Sequence, residues 1–67
     1  MVTVKINSKR EKFPKGTSIH HMIQQKNIPT SGIAIAINQQ VINRTLWEDT
    51  FLQENDSVII IKATQGG

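Results

Sequence analysis

The chain has 67 residues, no cysteine, one tryptophan, two phenylalanines and no tyrosine, and eight Lys and Arg against five Asp and Glu give a formal net charge of +3. A chain of this length makes one small domain that buries only about 60% of its unfolded surface, so an enclosed active site of ~300–1,000 Å³ has no room beside the core. The missing cysteine excludes a disulfide framework, a thiolate metal site and a Cys nucleophile, and no apolar run approaches the ~20 residues of a membrane span.

Of the 25 hydrophobic residues 15 are Val or Ile, which favours strands. Val2, Val4 and Ile6 alternate with Thr3, Lys5 and Asn7, the pattern of a half-buried first strand with Thr3 and Lys5 outward. This start is strand-like and lacks the apolar core of a signal peptide. Asn7-Ser8-Lys9-Arg10 reads as a turn and Glu11-Lys12-Phe13 as a short return strand at an edge. Phe13-Pro14-Lys15-Gly16 has the spacing of a type I turn.

A helix follows, capped by Thr17 or Ser18, with Ile19, Met22 and Ile23 on one apolar face. Lys26 falls in its last turn, Asn27 suits the left-handed residue after it, and Pro29 forbids continuation. So short a helix is unstable alone and has to lie on a sheet.

Ile33 to Ile37 is apolar on both parities, which predicts a strand with covered neighbours. Asn38-Gln39-Gln40 turns into Val41-Ile42, and Arg44 to Thr50 is a short helical or irregular bridge carrying Leu46 and Trp47. Gln53-Glu54-Asn55-Asp56 is a further turn with Asn55 as its positive-φ residue. Ser57 to Ala63 holds Val58-Ile59-Ile60-Ile61, the strongest strand signal in the chain. Unpaired it would aggregate, which places it in the middle of the sheet. The order β-β-α-β-β-β predicts an α+β domain, a mixed sheet of about five strands crossed by one helix, over residues 1–63, with residues 64–67 as a flexible tail.

Residues 1–26 hold Lys5, Lys9, Arg10, Lys12, Lys15 and Lys26 against Glu11 alone, a net +5, while residues 27–67 carry −2. A nucleic-acid patch at Lys9-Arg10-Glu11-Lys12 is the weaker reading beside a solvated hairpin, because single-strand binders of this size need aromatic stacking platforms. Phe13, Trp47 and Phe51 are too few for that and each is more simply a core residue. Adjacent His20 and His21 do not face one another on a helix, and Glu48-Asp49 reads as solvated surface, so no metal site and no acid–base pair is assigned.

The sequence finishes Thr64-Gln65-Gly66-Gly67. Four extended residues reach at most ~13–14 Å, far enough to carry a carboxylate into another protein's active site. Glycine lacks a Cβ, so this backbone fits a narrow channel and leaves the carboxyl group unhindered. A carboxylate reacts only after activation, as in an acyl-adenylate. The sequence has no G-x-x-x-x-G-K-[ST] loop to hold ATP, so a partner must activate it.

At this point the chain resembles a family. The element order with a terminal Gly-Gly is similar to the β-grasp, ubiquitin-like proteins. Ala34-Ile35-Ala36-Ile37-Asn38-Gln39-Gln40-Val41-Ile42, followed by Arg44-Thr45-Leu46-Trp47, resembles the ThiS family of thiamine-biosynthesis sulfur carriers. Gly16-Thr17-Ser18-Ile19 and Asn55-Asp56-Ser57-Val58 extend the likeness over the whole chain. Departures fall at His21, Asn43, Glu54-Asn55-Asp56 and Gln65.

The resemblance implies a carrier rather than an enzyme. A ThiF-like, E1-like enzyme would adenylate the Gly67 carboxylate with ATP, and a persulfide donor would convert it to a thiocarboxylate. A ThiG-like thiazole synthase would receive the sulfur. The chain itself would hold no cofactor and contact no nucleic acid and no membrane, working as a cytoplasmic monomer. Thr64, Gln65, Gly66 and Gly67 would thread into the partners' sites. Strand parity turns either Val58 and Ile60 or Ile59 and Ile61 to the outer face beside the tail; ThiS-family relatives often carry a charged residue where Ile59 stands, so the resemblance assigns Ile59 and Ile61 outward, as a docking site. A ubiquitin-like protein modifier, a carrier for another pathway such as molybdopterin synthesis, and a module with an incidental Gly-Gly remain as alternatives.

Overall fold

The computed structural model describes residues 1–62. The elements are β1 (Val2–Ile6), β2 (Lys9–Phe13), α1 (Ile19–Gln25), β3 (Ile33–Ile37), β4 (Gln40–Ile42), a 3₁₀ helix (Arg44–Asp49) and β5 (Ser57–Lys62). The five strands form one sheet in the order β2-β1-β5-β3-β4. β1 and β5 run parallel, and the other neighbours are antiparallel. The strongly apolar β5 lies at the centre, as its composition requires.

Both hairpins are tighter than the sequence suggests. Asn7 (φ 50°) and Ser8 (φ 73°) alone connect β1 to β2, and Asn38 (φ 52°) and Gln39 (φ 72°) alone connect β3 to β4. Two successive positive-φ residues make the type I′ turn, whose twist matches the strands it joins. Lys9, Arg10 and Gln40, expected in turns, are therefore strand residues. The turn before α1 is displaced by one residue: Thr17 N donates to Pro14 O (3.1 Å) and Gly16 has φ 92°. A positive-φ glycine at the third position makes it type II rather than type I.

Ser18 caps α1, its Oγ accepting from His21 N at 3.1 Å. Lys26 is the C-cap instead of a last-turn residue, and Asn27 follows in the left-handed region (φ 56°). The Lys26 ammonium meets both carboxylate oxygens of Glu11 on β2 at 2.7 and 2.9 Å, tying the end of the helix to the sheet edge.

Ile19, Met22 and Ile23 of α1 pack with Val4, Ile6, Phe13, Ile35, Trp47, Leu52 and Val58 in one core. Phe51, expected there, is 48% exposed. Neighbouring side chains in an extended segment point opposite ways, and Leu52 takes the inward position at 2%. Trp47 is buried and its indole N–H donates to Ile42 O (3.1 Å). The Arg44 guanidinium lies 5.2 Å from the Trp47 ring and donates to Thr30 O, so the Arg-x-x-Trp spacing locks the 3₁₀ helix against the core.

Candidate functional site

The sheet has an inner face covered by α1 and an outer face that none of the described elements covers. Val4, Ile6, Ile35 and Val58 fix the inner parity, since each is buried in the core beneath α1. Their neighbours along the strands therefore point outward. On β5 these are Ser57, Ile59 and Ile61, with Ile59 43% and Ile61 53% exposed. Both residues of the sequence-assigned pair thus stand on the outer face.

The register adds what the sequence did not assemble. Ala36 pairs with Ile59 and with Val41, and Ala34 pairs with Ile61, so these side chains share one face. Val41 is 70% exposed, while Ala36 between it and Ile59 is 8%. The result is an apolar patch floored by two alanines, where a partner can approach the backbone closely. On the other side, Lys5 lies between Arg10 on β2 and Ser57 on β5, and Thr3 pairs with Lys12. The outer face is apolar over β4, β3 and β5 and basic over β1 and β2. Alternation along single strands was visible in the sequence; the sideways pairing that unites them was not.

Two polar devices hold β5 in place. Past the end of β1, the Asn7 side chain acts as an extra rung: its Oδ1 accepts from Ile60 N (2.9 Å) and its Nδ2 donates to Ile60 O (3.4 Å). At the start of β5 the buried Asp56 accepts from Asn38 Nδ2 (3.0 Å) and Gln53 N (2.8 Å), while Asn38 Oδ1 accepts from Ser57 N (3.0 Å). This couples the β3–β4 turn to the strand that leads toward the tail. Thr64, Gln65, Gly66 and Gly67 lie outside the described residues.

No cluster of three or more His, Cys, Asp or Glu among the described residues could hold a metal ion. His21, Glu48 and Asp49 are exposed and His20 is half-buried. An open concavity of about 640 Å³ lies by the end of β5 between Lys9, Lys26, Ile28 and Lys62. No helix among the described residues is long and apolar enough to cross a membrane.

The ThiS family model matches residues 3–67. The chain belongs to the ThiS family. It is similar to the sulfur carrier protein ThiS of Escherichia coli (strain K12), 31% identical over 52 residues that cover 78% of this chain and 79% of that protein. The crystal structure of a thiamine biosynthesis protein (ThiS) from Geobacter metallireducens superposes with a TM-score of 0.81 at 14% identity, covering 98% of this chain and all of that one. A solution structure of a thiamine biosynthesis protein from the same organism gives 0.75, also at 14% identity, over 98% of this chain and 88% of its own. At that identity the structures speak for the fold, which is the β-grasp. In this ThiS-family chain the outer face of the sheet carries the exposed apolar side chains Val41, Ile59 and Ile61.

Proposed function

We propose that this protein is a sulfur carrier whose reactive group is the Gly67 carboxylate. The observation that carries the reading is a family match that runs through Gly67 rather than stopping at the folded body. Five residues follow Lys62, the last of β5, and extended they span at most ~17 Å. The body holds the base of that segment on a central strand, and Gly66 and Gly67 present no side chain to a partner's channel.

The chemistry is supplied by partners. In a ThiF-like enzyme the Gly67 carboxylate oxygen attacks the α-phosphorus of ATP, giving an acyl-adenylate and pyrophosphate. A persulfide sulfur attacks the acyl carbon and expels AMP. A thiol then cleaves the S–S bond, leaving a thiocarboxylate on Gly67 and a disulfide on the donor side. A ThiG-like thiazole synthase takes the sulfur. This chain contributes the carboxylate and a docking surface centred on Ile59 and Ile61, and neither acid, base nor cofactor.

Intact mass spectrometry after incubation with ATP, a persulfide donor and the ThiF-like enzyme tests this directly. The expected product has one Gly67 oxygen replaced by sulfur. Conjugates through lysine would make it a protein modifier instead, and an unchanged mass would end the proposal.

A further inference from the structure

The basic half of the outer face has a shape as well as a charge. Thr3, Lys5, Arg10, Asn55 and Ser57 line a cleft of about 260 Å³. Arg10, Lys5 and Ser57 are lateral neighbours across β2, β1 and β5, and Ser57 is two residues from Ile59 on the same side of the same strand. Lys5 and Arg10 are exposed, and neither is in an ion pair among the described residues. Like charges directly opposite on paired strands weaken a sheet. Folding therefore gains nothing from this pair, and an incoming anion would relieve it.

Resting on the proposed function, we infer that this cleft receives an acidic side chain of the adenylating enzyme, beside the apolar contact at Ile59 and Ile61. An Arg guanidinium offers a paired-donor fork to a carboxylate, Lys5 adds a point charge, and the Ser57 hydroxyl and Asn55 amide can donate at the rim. The apolar patch holds the complex together, and the cleft selects and orients a partner whose matching surface is apolar with a carboxylate border. Charge of this kind acts chiefly on the rate of encounter and on the rejection of wrong partners. A nucleic-acid phosphate is the less suitable anion, because Phe13 and Trp47 are buried inside the core and the exposed Phe51 lies outside the five strands, which leaves this face without a stacking platform.

The test is the association rate with the ThiF-like adenylating enzyme at about 0.01 M and about 0.15 M salt, where the Debye length falls from about 30 to about 8 Å. Four proteins are compared: wild type, Lys5→Glu, Lys5→Glu/Arg10→Glu and Ile59→Asp. Wild type should associate ~10-fold or more slowly at the higher salt, whereas the double variant, which sets two carboxylates against the partner's carboxylate, should be slower than wild type by at least a similar factor at low salt and should speed up as salt rises. The single variant Lys5→Glu, which turns a like-charge pair into an opposite one, should melt no lower than wild type while still associating more slowly. Equal rates for wild type and the double variant, with Ile59→Asp still defective, would overturn the cleft and leave the carrier reading standing. No binding of wild type to the enzyme would overturn both. Tight binding of a single-stranded oligonucleotide, lost in the double variant while enzyme association is unaffected, would reassign the cleft to nucleic acid.

Discussion

Replacing Ile59 by Asp separates a docking residue from a core residue on energetic grounds. A fully buried Ile contributes roughly 1.5–3 kcal/mol, so a side chain left 43% exposed contributes about 1 kcal/mol. The poorer fit of Asp to a strand adds at most ~1 kcal/mol. The total, about 1–2 kcal/mol, is tolerable for a chain whose stability should be roughly 3–10 kcal/mol. Ile35, fully buried one strand away, makes the control, because Ile35→Ala should cost about 2–5 kcal/mol. Binding should respond in the opposite order. A carboxylate forced against an apolar partner surface without a counter-charge should cost at least ~2 kcal/mol, or ~30-fold in affinity. Urea unfolding and a binding titration on the same two variants read both quantities. A midpoint loss for Ile59→Asp as large as that for Ile35→Ala, or an unchanged affinity, would refute the assignment of Ile59 to the docking surface.

Deleting Gly67 should abolish thiocarboxylate formation, seen by intact mass, while the urea midpoint stays where it was. Asp56→Ala strips the acceptors from Asn38 Nδ2 and Gln53 N and should cost about 2–4 kcal/mol, visible as a lower midpoint at unchanged m-value. Ser18→Ala removes the one side-chain cap of α1 and should cost ~1 kcal/mol by the same measurement.

The sequence made some of this legible and not the rest, for reasons that differ residue by residue. β5 was plain because Val58 to Ile61 is apolar on both parities, and such a run has only one safe place in a sheet. Asn55 and Asn27 were legible as positive-φ residues because asparagine tolerates that region. Ser8 and Gln39 occupy it as well, held there by the hairpins, and nothing in their own chemistry announces it. That is why the sequence makes both turns look longer than they are. Phe51 was assigned to the core on hydrophobicity alone, whereas the choice between Phe51 and Leu52 depends on which of two alternating positions faces Trp47 and α1. The outer face shows the same limit at larger scale. Parity within β5 exposes Ile59 and Ile61, but only the register brings Val41, Ala34 and Ala36 beside them and sets Lys5 against Arg10. Register is a relation between distant segments, and the turns that set it were the least readable features.

The two halves of the outer face meet at the parallel seam between β1 and β5, and in the proposed carrier this placement would tie recognition to delivery. The basic half runs to the β2 edge, where Lys9, Arg10 and Lys12 also deter pairing with another sheet. The apolar half runs to the β4 edge, which is only three residues long and offers little for another strand to extend. Each half is thus compatible with an unpaired edge. A partner that contacts both must lie across the seam, directly over β5. Engaging Lys5 and Arg10 on one side and Ile59 on the other leaves one position for Lys62, since all four sit on strands held in a single hydrogen-bonded sheet. From that fixed point five residues reach at most ~17 Å. A mismatch of even one strand spacing, about 4.8 Å, would consume more than a quarter of that reach. In the proposed carrier, reading both halves of the face would therefore do more than strengthen docking: it would set where the Gly67 carboxylate can arrive.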